Sequence, residues 1–201
     1  IILGFVSLLN DISSEMIYPL LPIFLSTVIG VGTTFIGLIE GIAESTASFF
    51  KLFSGILSDR LHKRKFFITL GYYLSSLTRP IISIATAGWH ILILRFIDRV
   101  GKGIRGAPRD AIISESTEKQ YFGKAFGFHR AMDHTGAVIG PIIAMLLLYF
   151  LSNSQERNLR TIFLISSIPV LLSIILIIFG IKEKKQNILQ DNNPKKFSLK
   201  F

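Results

Sequence analysis

The chain has 201 residues, 50% of them hydrophobic and 17 of them Phe, with a mean hydropathy of +0.53 and a formal charge of +9. This apolar content, gathered into long runs, excludes an ordinary soluble domain and makes a membrane protein the leading class. There is no cysteine, so disulfide and thiolate-metal frameworks are excluded, and the basic residues are interleaved with the apolar runs rather than gathered on one soluble face as nucleic-acid binding requires.

Six stretches, at 1–29, 34–57, 66–87, 89–113, 124–151 and 159–181, are each near or above the roughly 20 residues that a helix needs to cross a bilayer. The first contains Asp11 and Glu15 one turn apart, with Asn10 beside them, and these acids, its length and its lack of a basic start lead it to be read as a first span rather than a signal peptide. The second repeats the arrangement with Glu40 and Glu44, and Lys51 returns to the same face two turns later. In the third, Arg79 stands next to Pro80 and is expected to pair inward with an acid of the first or second span.

The fourth stretch is the anomalous one. Arg95, Asp98, Arg99, Lys102, Arg105, Arg109 and Asp110 fall within an arc of about 140° when placed at 100° per residue. Each charge facing lipid near the bilayer centre costs about 3 kcal/mol even on the mildest scale, so the stripe must face protein or water. If the helix enters at Trp89, Arg95 and Arg99 lie about 9 and 15 Å along it, nearest the midplane, whereas Arg105, Arg109 and Asp110 lie deeper.

The fifth stretch carries Arg130 and Asp133 near one end, flanked by His129 and His134. Without a third ligand, that histidine pair is not read as a metal site. The sixth has no charge from Thr161 to Ile181 and reads as lipid-facing scaffold, with Pro169 as a kink. Residues 182–201, rich in Lys, Gln and Asn, read as a polar linker.

The connections after the second, fourth and sixth stretches hold fourteen basic residues against two on the opposite side, Arg157 and Arg160. The positive-inside rule then places both termini in the cytoplasm.

The turn Gly55, Ile56, Leu57, Ser58, Asp59, Arg60, Leu61, His62, Lys63, Arg64, Lys65 resembles the loop between the second and third helices of the major facilitator superfamily of transporters, with His62 where glycine is usual. Arg95 followed by Gly101 and Gly103 resembles the fourth-helix pattern, with Arg99 in place of the first glycine. The run from Asp98 to Asp110 looks like a bacterial branch of uncharacterised or drug-efflux-like members. Gly136, Gly140 and Pro141, followed by Ala144 and Met145 where glycines are common, resemble the antiporter-type motif of the fifth helix.

The resemblance implies an all-α polytopic protein: the amino-terminal six-helix half of a twelve-helix transporter, residues 1–181, followed by a cytoplasmic linker toward a second half. It implies a secondary active transporter in a bacterial inner membrane, moving a small solute by alternating access, coupled to protons and running as an efflux antiporter. The partners are then membrane lipids, the solute, protons and the second half, with no nucleic acid. A half-size transporter that dimerises, and a non-transporting scaffold or receptor, are the alternatives. No nucleophile, base and oxyanion set, cofactor motif or metal constellation assembles from these motifs, so no enzyme is expected.

On this reading Asp11, Glu15, Glu40, Glu44, Arg79, Arg95, Asp98 and Arg99 form the substrate or proton pathway. Gly55, Asp59, Arg60, Arg64, Arg105, Arg109, Asp110, Arg130 and Asp133 form a cytoplasmic gate or latch. The small residues at 136, 140 and 144 permit close helix packing, and Pro141 bends its helix. Phe5, Tyr18, Phe24, Phe49 and Phe50 are candidate cavity-lining aromatics. The acids of the first two spans are expected to neutralise the stripe of the fourth.

Overall fold

The computed structural model describes residues 1–61 and 63–180; His62, Ile181 and the predicted linker at 182–201 lie outside the described residues. Among the described residues there is no strand. The first predicted stretch is broken rather than continuous, running as α1 (Ile2–Ile17), α2 (Leu21–Ile23) and a π-helical turn (Phe24–Ile29). Pro19 and Pro22 explain the break, because each lacks the N–H that would satisfy the carbonyl four residues earlier. The turn ends at Gly30, whose φ of 76° is the left-handed conformation glycine adopts without strain.

There follow α3 (Thr33–Leu61), α4 (Arg64–Ser83), α5 (Gly88–Glu115) and, through a short 3₁₀ turn at Lys119–Tyr121, α6 (Phe122–Phe150). The last stretch is divided into α7 (Gln155–Ile165) and α8 (Ser167–Gly180). The interruption at Ser166 has the same cause as the first, since Pro169 cannot donate to the carbonyl of Ile165.

Among the described residues, three of the six helical segments are long and apolar enough to cross a membrane by length and composition alone: Ile2–Ile29, Lys119–Phe150 and Gln155–Gly180. Apolarity alone therefore supports fewer spans than the six expected. The shortfall falls on α3, α4 and α5, the helices that carry the buried and half-buried charges described below.

Packing is organised around two helix layers. α5 lies between α3 and α4, α1 lies along α6, and α7 and α8 close over α4 with α8 also reaching α1. Glycine sets these approaches. A Cβ on Gly101 would stand 2.5 Å from the Gly71 carbonyl oxygen of α4, and one on Gly103 would stand 2.7 Å from that of Ala47 in α3. Likewise, a Cβ on Gly136 or Gly140 would come within 2.7 Å of the carbonyl oxygens of Leu8 or Ile12 in α1. Without a hydrophobic drive between helices in lipid, such backbone proximity is a main source of association.

The core joins Ile12, Met16, Ile17 and Phe24 to Ile39, Ile91, Ile162 and Phe163, and a second cluster joins Val6, Ile68, Tyr72 and Ile177. In the last segment Ile162, Phe163, Val170 and Ile177 are buried while Leu164, Ile168, Leu171 and Phe179 are exposed. It is thus a two-faced helix pair, with one apolar stripe inward and the other outward. Phe24 packs edge-on against Phe163, with ring centroids 5.3 Å apart, inside the core rather than along a cavity.

Candidate functional site

The anomalous stripe becomes a layered ion network. Arg95, Asp98, Arg99 and Arg105 of α5 are buried, Arg109 and Asp110 are partly covered, and Lys102 is exposed. Arg79 of α4, 1% exposed, places Nη2 3.2 Å from Asp98 Oδ1. This corrects the expectation that Arg79 pairs with an acid of the first or second span. Gly71, Ser75 and Arg79 recur every four residues, so one face of α4 meets α5 and brings the guanidinium to Asp98. The close Gly71–Gly101 approach permits that contact.

Arg95 Nη1 lies 4.0 Å from Asp98 Oδ2, and Nη2 of the same side chain hydrogen-bonds to Glu40 of α3. One turn on, Arg99 Nη2 lies 2.9 Å from Glu44 Oε1. The second span, α3, thus supplies two of the expected counter-charges. The first does not: among the described residues neither Asp11 nor Glu15 makes an ion pair with the stripe, and Asn10 donates to Asp11 Oδ1 at 3.2 Å. The reason is the α1–α6 packing, which turns the Cβ atoms of Asp11 and Glu15 toward Gly136 and Gly140, 2.9 and 2.8 Å from where Cβ atoms would be.

What α1 contributes is Tyr18. Its hydroxyl donates to Asp98 Oδ2 at 2.7 Å, while the guanidinium carbons of Arg95, Arg99 and Arg79 stand 4.2, 5.0 and 5.8 Å from its ring centroid. One aromatic ring therefore sits against three cations, and its hydroxyl bonds the carboxylate that two of them, Arg79 and Arg95, share. From the sequence, Tyr18 is only one of five candidate cavity-lining aromatics. Its spacing of three from Glu15 and seven from Asp11 was the available signal, because those offsets put all three on one helical face.

Ser75 was also missed. Its hydroxyl donates to the Asp98 carbonyl at 3.2 Å and accepts from Arg105 Nη1 at 2.7 Å, and Arg105 stacks 4.4 Å over the ring of Tyr72. Arg105 is thereby tied into the α4–α5 seam.

At the far end of α3, Asp59 Oδ1 lies 3.2 Å from Arg64 Nη2, and Arg64 also pairs with Glu115 at the end of α5. The ends of three helices are linked through one guanidinium. Gly55 lets α3 approach α5, since a Cβ there would be 3.3 Å from that of Ala107. Arg60 is exposed on the same turn. Arg109 pairs with the adjacent Asp110, with Nη2 3.3 Å from Oδ1.

On α6, His129 Nδ1 stands 3.4 Å from Asp133 Oδ2, whereas Arg130 and His134 are exposed. No group of three or more His, Cys, Asp or Glu that could hold a metal ion is present among the described residues.

A buried ion network on packed, glycine-set helices is the arrangement expected of a transporter half, and the comparisons with known proteins agree. The family model of the Major Facilitator Superfamily matches residues 3–200. The chain belongs to that superfamily. An uncharacterized MFS-type transporter of Methanocaldococcus jannaschii is 41% identical over 183 residues, covering 91% of this chain and 44% of its own length. The multi-drug resistance efflux pump PmrA of Streptococcus pneumoniae is 26% identical, covering 93% of this chain and 46% of its own length.

The chain therefore spans a little under half the length of these curated relatives. Among solved structures, a bacterial homolog of the human lysosomal transporter Spinster, in an inward-facing and occupied conformation, superposes with a TM-score of 0.77 at 17% identity. That match covers 90% of this chain and 43% of the other. The xylose transporter XylE of E. coli, in an inward open conformation, gives 0.71 at 17% identity, covering 95% and 49%. These likenesses concern the fold. The chain is thus a membrane protein of a transporter superfamily, with the fold of one transporter half.

Proposed function

We propose that this chain forms the amino-terminal, six-span half of a secondary active transporter, with both termini cytoplasmic, in a multi-pass protein of the cell membrane. The half rocks as a body against a second half and moves a small solute by alternating access. The observation that carries this reading is the network of Arg79, Arg95, Asp98 and Arg99 closed by Tyr18, Glu40 and Glu44. Its cations are buried, whereas Glu40 is half-exposed and Glu44 exposed. Ionisable groups held inside a membrane domain by partners on three helices are costly, and a solute pathway is a reason to keep them.

Asp11 and Glu15, half-covered on α1 and without an arginine in contact, are the proton-coupling candidates. The Asp59–Arg64–Glu115 link, with Arg60 beside it, is the latch that holds one end of the half closed, and Arg109–Asp110 and His129–Asp133 are further gate candidates. Multi-drug pumps among the relatives support export as the direction.

The test is reconstitution of the full-length protein in liposomes under an imposed pH gradient. Proton-driven solute flux is expected, with Asp59→Asn lowering turnover more than solute affinity. Equal loss of both sinks the latch, and absence of any gradient-driven flux sinks the transporter reading.

A further inference from the structure

The proposed pathway does not by itself say what class of solute the network takes. This inference rests on that reading and names the class. Three guanidinium groups, Arg79, Arg95 and Arg99, are buried beside one buried carboxylate, Asp98, which pairs with the first two, so the buried layer carries more positive than negative charge. Glu40 and Glu44 supply the difference from outside: their side chains are 42% and 64% exposed, against 3% and 5% for the arginines they pair with.

The arginines are also incompletely bonded. Arg95 Nε and Nη1 and Arg99 Nε are buried and have no hydrogen-bond partner. In both residues the glutamate takes Nη2 and leaves Nε of the same guanidinium edge empty. That edge presents two parallel N–H donors, the fork that a carboxylate, sulfonate or phosphate fills with two oxygens. A buried donor left unbonded is costly, so a ligand that fills both positions gains more than the glutamate it replaces. The glutamates are the members most easily moved, since their side chains are already 42% and 64% exposed and neither belongs to the apolar core.

We propose that Arg95 and Arg99, one turn apart on α5, form a binding site for the acidic group of an organic anion, and that Glu40 and Glu44 occupy it until the anion displaces them. Tyr18 serves as the floor of this site. Its ring holds the guanidinium planes, and its hydroxyl keeps Asp98 engaged with Arg79, so that Asp98 does not compete for the open edge. The glutamates act as built-in competitors, and removing their charge strengthens anion binding. A cation site built on the same glutamates predicts the opposite sign.

The experiment uses the full-length protein in detergent, with dansylglycine as the anionic probe and ethidium as the cationic one, each read by fluorescence. Glu40→Gln with Glu44→Gln is expected to bind dansylglycine about tenfold more tightly than the parent, and Arg95→Gln with Arg99→Gln to lose that binding. Ethidium binding is expected to be no stronger in either. Should the first double variant not fold, Glu44→Gln alone decides by the same sign, because Glu44 is exposed and outside the core. Dansylglycine binding that is unchanged or weaker in the glutamate variants overturns the proposal. If those variants lose ethidium instead, the pathway reading survives with a cationic solute, and an absence of gradient-driven flux remains a separate failure of the transporter reading.

Discussion

The glycines of α6 allow a prediction whose sign reverses along one helix. At Gly140 an added Cβ would stand 2.7 Å from the Ile12 carbonyl oxygen, 2.8 Å from Glu15 Cβ and 3.1 Å from the Glu15 carbonyl carbon. The first distance is about 0.6 Å short of the roughly 3.3 Å at which carbon and carbonyl oxygen normally meet. Two of the three obstructing atoms are backbone, so α1 must move as a unit. Overpacking of this kind costs about 3 kcal/mol at the upper end of its range, and replacing glycine by alanine in a helix returns about 1 kcal/mol.

The net loss for Gly140→Ala is therefore about 2 kcal/mol, a fall in apparent Tm of roughly 4–8 °C for a domain of this size. At Gly127, on the same helix, nothing lies within 4 Å of the added Cβ. Gly127→Ala should keep the roughly 1 kcal/mol gain and raise Tm by about 2–4 °C. Heating each variant in detergent and measuring the monodisperse fraction by size-exclusion chromatography gives the comparison. A Gly140→Ala protein as stable as the parent would refute the backbone-contact account of the α1–α6 seam.

Breaking the Arg79–Asp98 pair by Asp98→Asn should cost about 3–5 kcal/mol, because a buried guanidinium is left without its anion; Arg79→Met combined with Asp98→Leu should cost less than Asp98→Asn alone, measured by the same assay. Tyr18→Phe keeps the ring but removes the hydroxyl bond to Asp98 and should cost about 2 kcal/mol, and a larger loss in Tyr18→Ala would measure what the ring adds. Asp59→Asn acts on an exposed pair and should change stability by less than about 1 kcal/mol, so any fall in turnover cannot be assigned to unfolding. Pro169→Ala restores a donor opposite the Ile165 carbonyl and should lengthen amide-exchange protection across Ser166, the break between α7 and α8.

The sequence by itself determined that the protein is helical and membrane-bound. It also showed where the charges lie along each segment and that Gly136 and Gly140 mark a close helix contact, because apolar run length and the 3.6-residue period are local properties. The three motif resemblances carried the superfamily on the same footing. Partner choice could not be read this way. Placing Arg79 against Asp98, leaving Asp11 and Glu15 beside α6, and setting Tyr18 under three arginines depend on how far each helix is rotated and shifted against its neighbours. One residue changes azimuth by about 100° and depth by about 1.5 Å, enough to exchange one partner for another. Glycine contacts between distant segments fix those offsets, and only the tertiary structure brings Gly71 to Gly101 and Gly140 to Ile12.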